Sequence, residues 1–472
     1  MARSLLKDLS EPPSTPLNLK TKLAYGAGEL SKEMPGSILV FFILFFLTNV
    51  AGLNPGLAGG VLMLGRIWDA ISDPMIGWLS DRTHSRWGRR YPWMLMGAVP
   101  LGICFFLQWW APPTSHPWAL FGYYSLIAIL LFTALTAVAI PHAALAAELT
   151  RGYDERTSLA SFKAAFSIGS SLLGLFLAQL IFAMITDTQR QYLILGGVIG
   201  AIAAIAAGLC VWGTYQRYWS MQAFRRQTPQ AHSPSIWRQI QIAFSTRPFI
   251  YVIGVYLCSW VGLQVSAAIL PYFVVNVMGL AENHFTQMAI AVQGTALTMM
   301  LFWGNLGQWI GKRAIYCLGI PLTLVALIGF FLLQPGQVGL MYGLGVMVGM
   351  GLSTAYLAPW SMLPDVIDLD ELNTGQRREG IFCGFLIQLQ KLGTAISIFL
   401  VGKTLDWSGF VPGVAAQSPV AQPESALWAI RWLMGPLPGL ALAIGVVVAA
   451  FYPISREVHQ EILLKLSQRA SK

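Results

Sequence analysis

Apolar residues dominate long, uninterrupted stretches of this chain, and polar residues collect in short runs between them. A bilayer core of about 30 Å calls for roughly 20 apolar residues per crossing helix. Twelve stretches meet that length: 35–53, 57–80, 91–111, 117–147, 158–185, 191–214, 248–278, 284–310, 314–333, 338–364, 380–402 and 430–452. Runs such as Gly196 to Leu209 and Ile444 to Phe451 carry no charge, so their backbone groups must bond within helices. The period-two alternation of a membrane barrel is missing. The pattern predicts an all-α membrane protein.

Composition agrees. Of 472 residues, 55% are hydrophobic and only 11% charged, less than half of the roughly 25% charged residues of soluble domains. Disorder requires the opposite balance. The net charge of +9 is not gathered into a basic run with interleaved aromatics, which argues against nucleic-acid binding. Cysteines at 104, 210, 258, 317 and 383 form neither a disulfide framework nor a metal-ligand spacing. HExxH, GxSxG and Walker-type runs are missing as well, so no enzyme and no cofactor are expected.

Counting Lys and Arg by loop sets the orientation. The N-terminus, the even-to-odd loops and the C-terminus hold about 23 of the 30. The opposite loops hold Arg190, Lys403 and Arg431. Both termini are therefore expected in the cytoplasm, in a plasma or bacterial inner membrane. Residues 1–34 form a polar cytoplasmic segment without a removable signal peptide; the first span serves as insertion signal.

A basic linker at 215–247 divides the spans into halves at 35–214 and 248–452, followed by a cytoplasmic tail at 453–472. Two weak echoes support duplication. GWLSDRTHSRWGRRYPW after span 2 is echoed by GQWIGKRAIY after span 8, and AIPHAALAAEL in span 4 by APWSMLPDVID in span 10. Two six-helix halves about a midplane site is the plan of a secondary transporter.

Ionisable groups inside a span need a reason, because each costs at least about 2.5–3.5 kcal/mol on insertion scales. Span 2 places Arg66, Asp69 and Asp73 at spacings of three and four, within about 60° of one helix face. Two carboxylates beside hydroxyls such as Ser72 suit a small hard cation or a proton; a structural ion-pair cluster is the bland alternative. Span 1 opens GAGELSKEMPG. Glu29 and Glu33 share a face at i and i+4, with Lys32 beside both; a surface explanation is open for Glu29 near the cytoplasmic edge, whereas Glu33, followed at once by Pro35 and apolar residues, reads as a substrate or coupling group. Lys391 stands ten residues beyond Ile381 in span 11, about 15 Å into the helix. Its expected role is to pair with Asp69 or Asp73 and link the halves electrostatically. Lys163 is near the end of span 5, and His142 reads foremost as a helix-packing histidine. Tyr356 and Trp360, at i and i+4, make an aromatic face for packing or for stacking a ligand. Asp365 and Asp368 read as gate or loop charges.

With RIWDAISDPMIGWLSDRTHSRWGRRYPW the chain resembles the glycoside–pentoside–hexuronide:cation symporters, the melibiose permease-like family of the major facilitator superfamily. The resemblance runs from KLAYGAGELSKE to Lys391. It implies twelve helices in the major facilitator fold, with Asp69, Asp73 and Thr136 binding the coupling cation (Na⁺, H⁺ or Li⁺). It also implies Lys32, Glu33 and, by a looser alignment, Lys163 at the sugar, with Arg66 and Lys391 in coupling. At two span-4 positions where that family carries a sugar-binding acid and a tryptophan, this chain has Ala139 and Ala143. APWSMLPDVID, REGIFCGF and Lys391 are instead similar to the sodium-dependent lysophosphatidylcholine symporter branch. The expected function is cation-coupled symport of a sugar or glycoside by a monomer in contact with membrane lipid, the alternative substrate being a lysophospholipid or similar amphiphile.

Overall fold

A computed structural model describes residues 17–114, 116–150, 153–225, 241, 244–375, 378–412 and 421–470. Most of the expected linker, and residues 1–16 of the expected N-terminal segment, lie outside the described residues. The described chain is helical throughout, without a strand. Its helices are α1 (Leu19–Ala27), α2 (Leu30–Asn49), α3 (Pro55–Arg82), α4 (Tyr91–Gln108), α5 (Pro117–Leu149), α6 (Tyr153–Met184) and α7 (Thr188–Arg225). Then come α8 (Arg247–Tyr272), α9 (Glu282–Ile310), α10 (Lys312–Leu332), α11 (Val338–Thr374), α12 (Glu379–Trp407), α13 (Glu424–Met434), α14 (Pro436–Ala450) and α15 (Arg456–Ala470).

Eleven helical runs among the described residues are long and apolar enough to cross a membrane. The expected second span, α3, is 28 residues long but carries Arg66, Asp69, Asp73, Asp81 and Arg82, and that charge keeps it apart from the eleven. Two spans are assembled from two helices each. The first joins α1 to α2 through Gly28 and Glu29, both in right-handed helical conformation, and so begins well before residue 35. The last is α13 and α14, interrupted at Gly435 (φ −115°, ψ −84°) with Pro436 opening the new helix, where its missing N–H costs nothing. A single π turn, Phe273–Val277, extends α8. Helix α11 continues to Thr374 in spite of Pro359 and Pro364, ten residues beyond the expected end of span 10.

The chain divides into two units. The first comprises residues up to Leu53 and Leu64–His232; the second comprises Asn54–Met63, Ser233–Gly413 and Ser418–Lys472. Within the first, α4 packs on α5 and α7, and α2 on α6 and α7. Within the second, α10 packs on α11 and α14, and α8 on α12 and α14. Third span against fourth and sixth, and first against fifth and sixth, is the rule in each. The weak sequence echo thus corresponds to a repeated packing scheme.

Cores of both units are apolar and aromatic. In the first, Trp109 stacks on Tyr192 with centroids 5.6 Å apart, and Phe46 meets both rings at 5.2 Å. Helices α4 and α7 touch through glycines: a Cβ on Gly200 would lie 2.7 Å from the Gly102 carbonyl, and one on Gly102 2.9 Å from the Gly200 carbonyl. Close backbone approach through small residues is a main source of cohesion where lipid removes the hydrophobic drive. In the second unit, Tyr256, Phe249, Met362, Val366, Phe382 and Leu386 form one buried cluster. Outward-facing rings such as Trp212 and Trp407 are largely exposed, as lipid-facing side chains are.

Candidate functional site

In the first unit the span-2 charges meet a single threonine. Thr136, on α5, directs its Oγ1 to Oδ1 of Asp69 and to Oδ1 of Asp73, each at 3.2 Å. Ser72 Oγ is 3.1 Å from the same hydroxyl. Arg66 Nη1 is 3.9 Å from Asp69, and its guanidinium lies 4.9 Å from the centre of the Phe132 ring. Trp68 donates to Thr133 Oγ1 at 2.8 Å. Thus α3 and α5 are joined by residues one turn apart, from the face of Arg66, Asp69 and Asp73 and from the neighbouring face of Trp68 and Ser72.

Both carboxylates are buried, Asp69 at 1% and Asp73 at 7% exposure. Two carboxylates and one guanidinium leave one negative charge among these three side chains. A threonine hydroxyl carries one hydrogen, so the two carboxylates share it. The donor set is oxygen throughout, the chemistry preferred by hard cations. Among the described residues no group of three or more His, Cys, Asp or Glu side chains is assembled as a metal site.

A second cluster surrounds the α1–α2 junction. Glu29, for which a surface position was open, is fully buried, because α1 extends the first span upstream of it. Its carboxylate receives Lys32 Nζ at 3.0 Å, faces His142 Nδ1 at 3.4 Å and has Lys163 Nζ at 3.9 Å. Glu33 instead is 38% exposed and pairs with Lys32 at 3.1 Å. Lys32, Glu33 and Lys163 are therefore brought together, with Glu29 as the hub. The shared face expected from the spacing of Glu29, Lys32 and Glu33 is the one these ion pairs occupy.

In the second unit Tyr356 and Trp360 belong to an aromatic group. Trp360 meets Tyr256 at 6.0 Å, Tyr256 meets Trp260 at 5.9 Å, and Trp260 meets Tyr356 at 6.3 Å. Trp260 donates its indole N–H to Thr394 Oγ1 at 2.6 Å, and Gln264 Nε2 is 3.5 Å from the same oxygen. Lys391, half-buried, stands on α12 one turn before Thr394. Trp260, Gln264 and Thr394 escaped the sequence reading, although a glutamine four residues after a tryptophan inside an apolar span is a detectable signal.

The loop motifs also acquire partners. Arg89 reaches Glu148 Oε1 through Nη2 at 2.7 Å and Nε at 2.9 Å, and Arg90 Nε approaches it at 3.3 Å. Arg90 further bonds Ser80 at 2.6 Å and pairs with Asp81. In the second unit Lys312 Nζ pairs with Asp365 Oδ1 at 2.6 Å. His459 Nε2, from α15, lies 3.3 Å from Asp365 and 3.1 Å from Asp368. Each clasp begins just after a glycine with positive φ, Gly88 (+89°) and Gly311 (+90°), a conformation that favours glycine.

Residues 24–456 match the family model for MFS/sugar transport proteins. The chain is 43% identical to the uncharacterized symporter sll1374 of Synechocystis, covering 96% of this chain and 97% of that one. It is 26% identical to the sodium-dependent lysophosphatidylcholine symporter 1 of Gallus gallus, covering 94% and 88%. Among solved structures it is similar in fold to the nucleoside transporter NupG, with a TM-score of 0.63 at 13% identity over 93% of this chain and all of that one. An all-helical chain with charged oxygen clusters inside its spans, matched nearly end to end, belongs to the MFS/sugar transport protein family of the major facilitator superfamily and is a membrane transporter, not an enzyme.

Proposed function

We propose that the protein is a Na⁺-coupled symporter of a sugar or glycoside, working by alternating access with both termini cytoplasmic. The observation that carries the cation half is the Thr136 hydroxyl, 3.2 Å from one oxygen of each of Asp69 and Asp73. These residues hold the coupling ion, with Arg66 offsetting part of their charge. Lys32, Glu33 and Lys163 in the first unit, and Tyr356 and Trp360 in the second, are the substrate-recognising side chains: hydroxyls hydrogen-bond to the charged groups and a ring face stacks on the aromatics. Lys391 acts in coupling.

A lysophospholipid or similar amphiphile is the second reading. It is favoured by the relationship to a lysophosphatidylcholine symporter over 94% of the chain.

The test uses purified protein in detergent. A ligand that binds only the folded state raises the thermal midpoint by mass action. Na⁺ should raise it over choline at equal ionic strength in the wild type, and Asp73→Asn should abolish the rise; an equal rise in Asp69→Asn and Asp73→Asn removes the assignment. Proteoliposome uptake under an inward Na⁺ gradient, with a panel of glycosides and of lysophospholipids, then separates the two substrate readings.

A further inference from the structure

The Glu29–His142 pair is not explained by cation binding at Asp69 and Asp73. His142 Nε2 lies 2.9 Å from the backbone carbonyl oxygen of Tyr25, and its ring stacks on Tyr25 with centroids 4.7 Å apart. A carbonyl only accepts, so Nε2 must be the nitrogen carrying hydrogen. In a neutral imidazole that assignment leaves a lone pair on Nδ1. Yet Nδ1 faces Glu29 Oε1 at 3.4 Å, and both atoms are buried without another hydrogen-bond partner among the described residues. A nitrogen lone pair aimed at a carboxylate oxygen away from water is repulsive. One added proton turns the contact into an attraction, either as N–H facing a carboxylate or as a carboxylic acid facing the nitrogen.

We infer that Glu29 and His142 form a proton-binding site, separate from the site at Asp69 and Asp73, which takes up one H⁺ between Nδ1 and Oε1. His142 is six residues beyond Thr136 on α5, about 9 Å along the helix axis at 1.5 Å per residue, so the two sites share a helix but no ligand. The titratable and charged groups facing the pair come from every element around it. They are Tyr25 from α1, Lys32 and Glu33 from α2, Lys163 from α6, and Cys210 from α7, whose sulfur lies 3.0 Å from where a Cβ on Gly28 would stand. Glu29 sits at the start of α2, directly after Gly28, and a Cβ on Gly28 would strike the His142 ring. The proton therefore adds a second link between the α1–α2 junction and α5, beside the hydrogen bond from His142 Nε2 to Tyr25. No atom of the proposed cation site takes part in holding this proton.

Acid-minus-alkaline difference infrared spectra of the purified protein in phosphatidylcholine liposomes test this, the probe being the proton alone. Wild type should show a titrating carboxyl–imidazole signal that is lost in Glu29→Gln and is lost, or moved by at least one pH unit, in His142→Gln. The signal should persist in Asp73→Asn, which separates failure of this site from failure of the symport reading. Spectra of both pair variants identical to wild type would overturn the inference. Should neither variant fold, ¹⁵N-histidine resonances of the wild type decide. A His142 ring that keeps a bare Nδ1 throughout, with no carboxylic-acid band from Glu29, overturns it; a change at Nδ1 or that band supports it.

Discussion

Lys312 Nζ lies 2.6 Å from Asp365 Oδ1, and this pair occupies in the second unit the place that Arg89 and Glu148 hold in the first at 2.7 Å. Each joins the loop after one span to the end of the fourth span of its own unit. Glu148 is almost wholly buried between two guanidinium groups. Removing one member of a buried pair leaves the other charge stranded, at about 3–5 kcal/mol. Glu148→Gln should therefore lower the thermal midpoint in detergent substantially. Lys312 is more than one-third exposed, so Asp365→Asn should lower it less. The exchange Lys312→Asp with Asp365→Lys should recover most of that smaller loss, and a double variant no better than the singles would show that the pairing is not what matters.

Thr136 separates volume from chemistry in the proposed cation site. Thr136→Val keeps the shape and removes the hydroxyl; Thr136→Ser keeps the hydroxyl. In the ion-bound site the hydroxyl would offer its oxygen as a ligand, the donor type that hard cations prefer. The valine variant should need at least about tenfold more Na⁺ for half-maximal thermal stabilisation, and the serine variant should stay near wild type. Equal loss in both would assign the threonine to packing.

Trp260 carries two functions that substitution can divide. Trp260→Phe keeps an aromatic ring beside Tyr256 and Tyr356 but deletes the donor to Thr394. The Thr394 hydroxyl keeps Gln390 and Gln264 as partners, so the loss is one net hydrogen bond of about 0.5–1.5 kcal/mol, read as a modestly lower thermal midpoint. Tyr356→Ala should instead reduce affinity for the substrate that the uptake panel identifies, with stability changed less. Unchanged affinity in Tyr356→Ala would place recognition elsewhere.

Lys391 is tested by comparing two transport modes. If it acts in coupling, Lys391→Ala should lose gradient-driven accumulation while exchange of internal for external substrate survives. Both are measured in the same proteoliposomes. Intact accumulation in this variant would leave the lysine a packing role.

The contact between Gly102 and Gly200 tolerates no side chain, because each missing Cβ would meet the opposite carbonyl. Gly200→Val should force α4 and α7 apart. Overpacking of this kind costs about 1–3 kcal/mol, read as a lower thermal midpoint; a wild-type midpoint would mean the helices can separate freely.

Much of this was legible in the chain because lipid imposes simple rules. Apolar length gave the spans, and charge inside a span marked Asp69, Asp73, Lys163 and Lys391. The three- and four-residue spacing of Arg66, Asp69 and Asp73 placed them on one face, where α3 meets α5. Both internal echoes turned out to join within their own units, Arg89 to Glu148 and Lys312 to Asp365. Hidden from the sequence was anything set by contact between distant helices. Nothing in the spacing of Glu29 shows that α1 and α5 close over it, and its tie to His142 spans more than a hundred residues. Trp260 and Thr394 are more than 130 residues apart, and no spacing rule connects them. The break at Gly435 was also invisible, since glycine and proline are common within membrane helices.

The single hydrogen shared at Thr136 has a kinetic consequence. For a cation entering the proposed site between Asp69 and Asp73, the Thr136 hydroxyl presents one hydrogen divided between two acceptors. A hydroxyl rotor need only turn its hydrogen aside and offer a lone pair, while the side chains keep their rotamers. Motions of that size belong to the picosecond-to-nanosecond range. At the proposed cation site, the turn of the Thr136 hydroxyl is therefore far faster than a transport cycle.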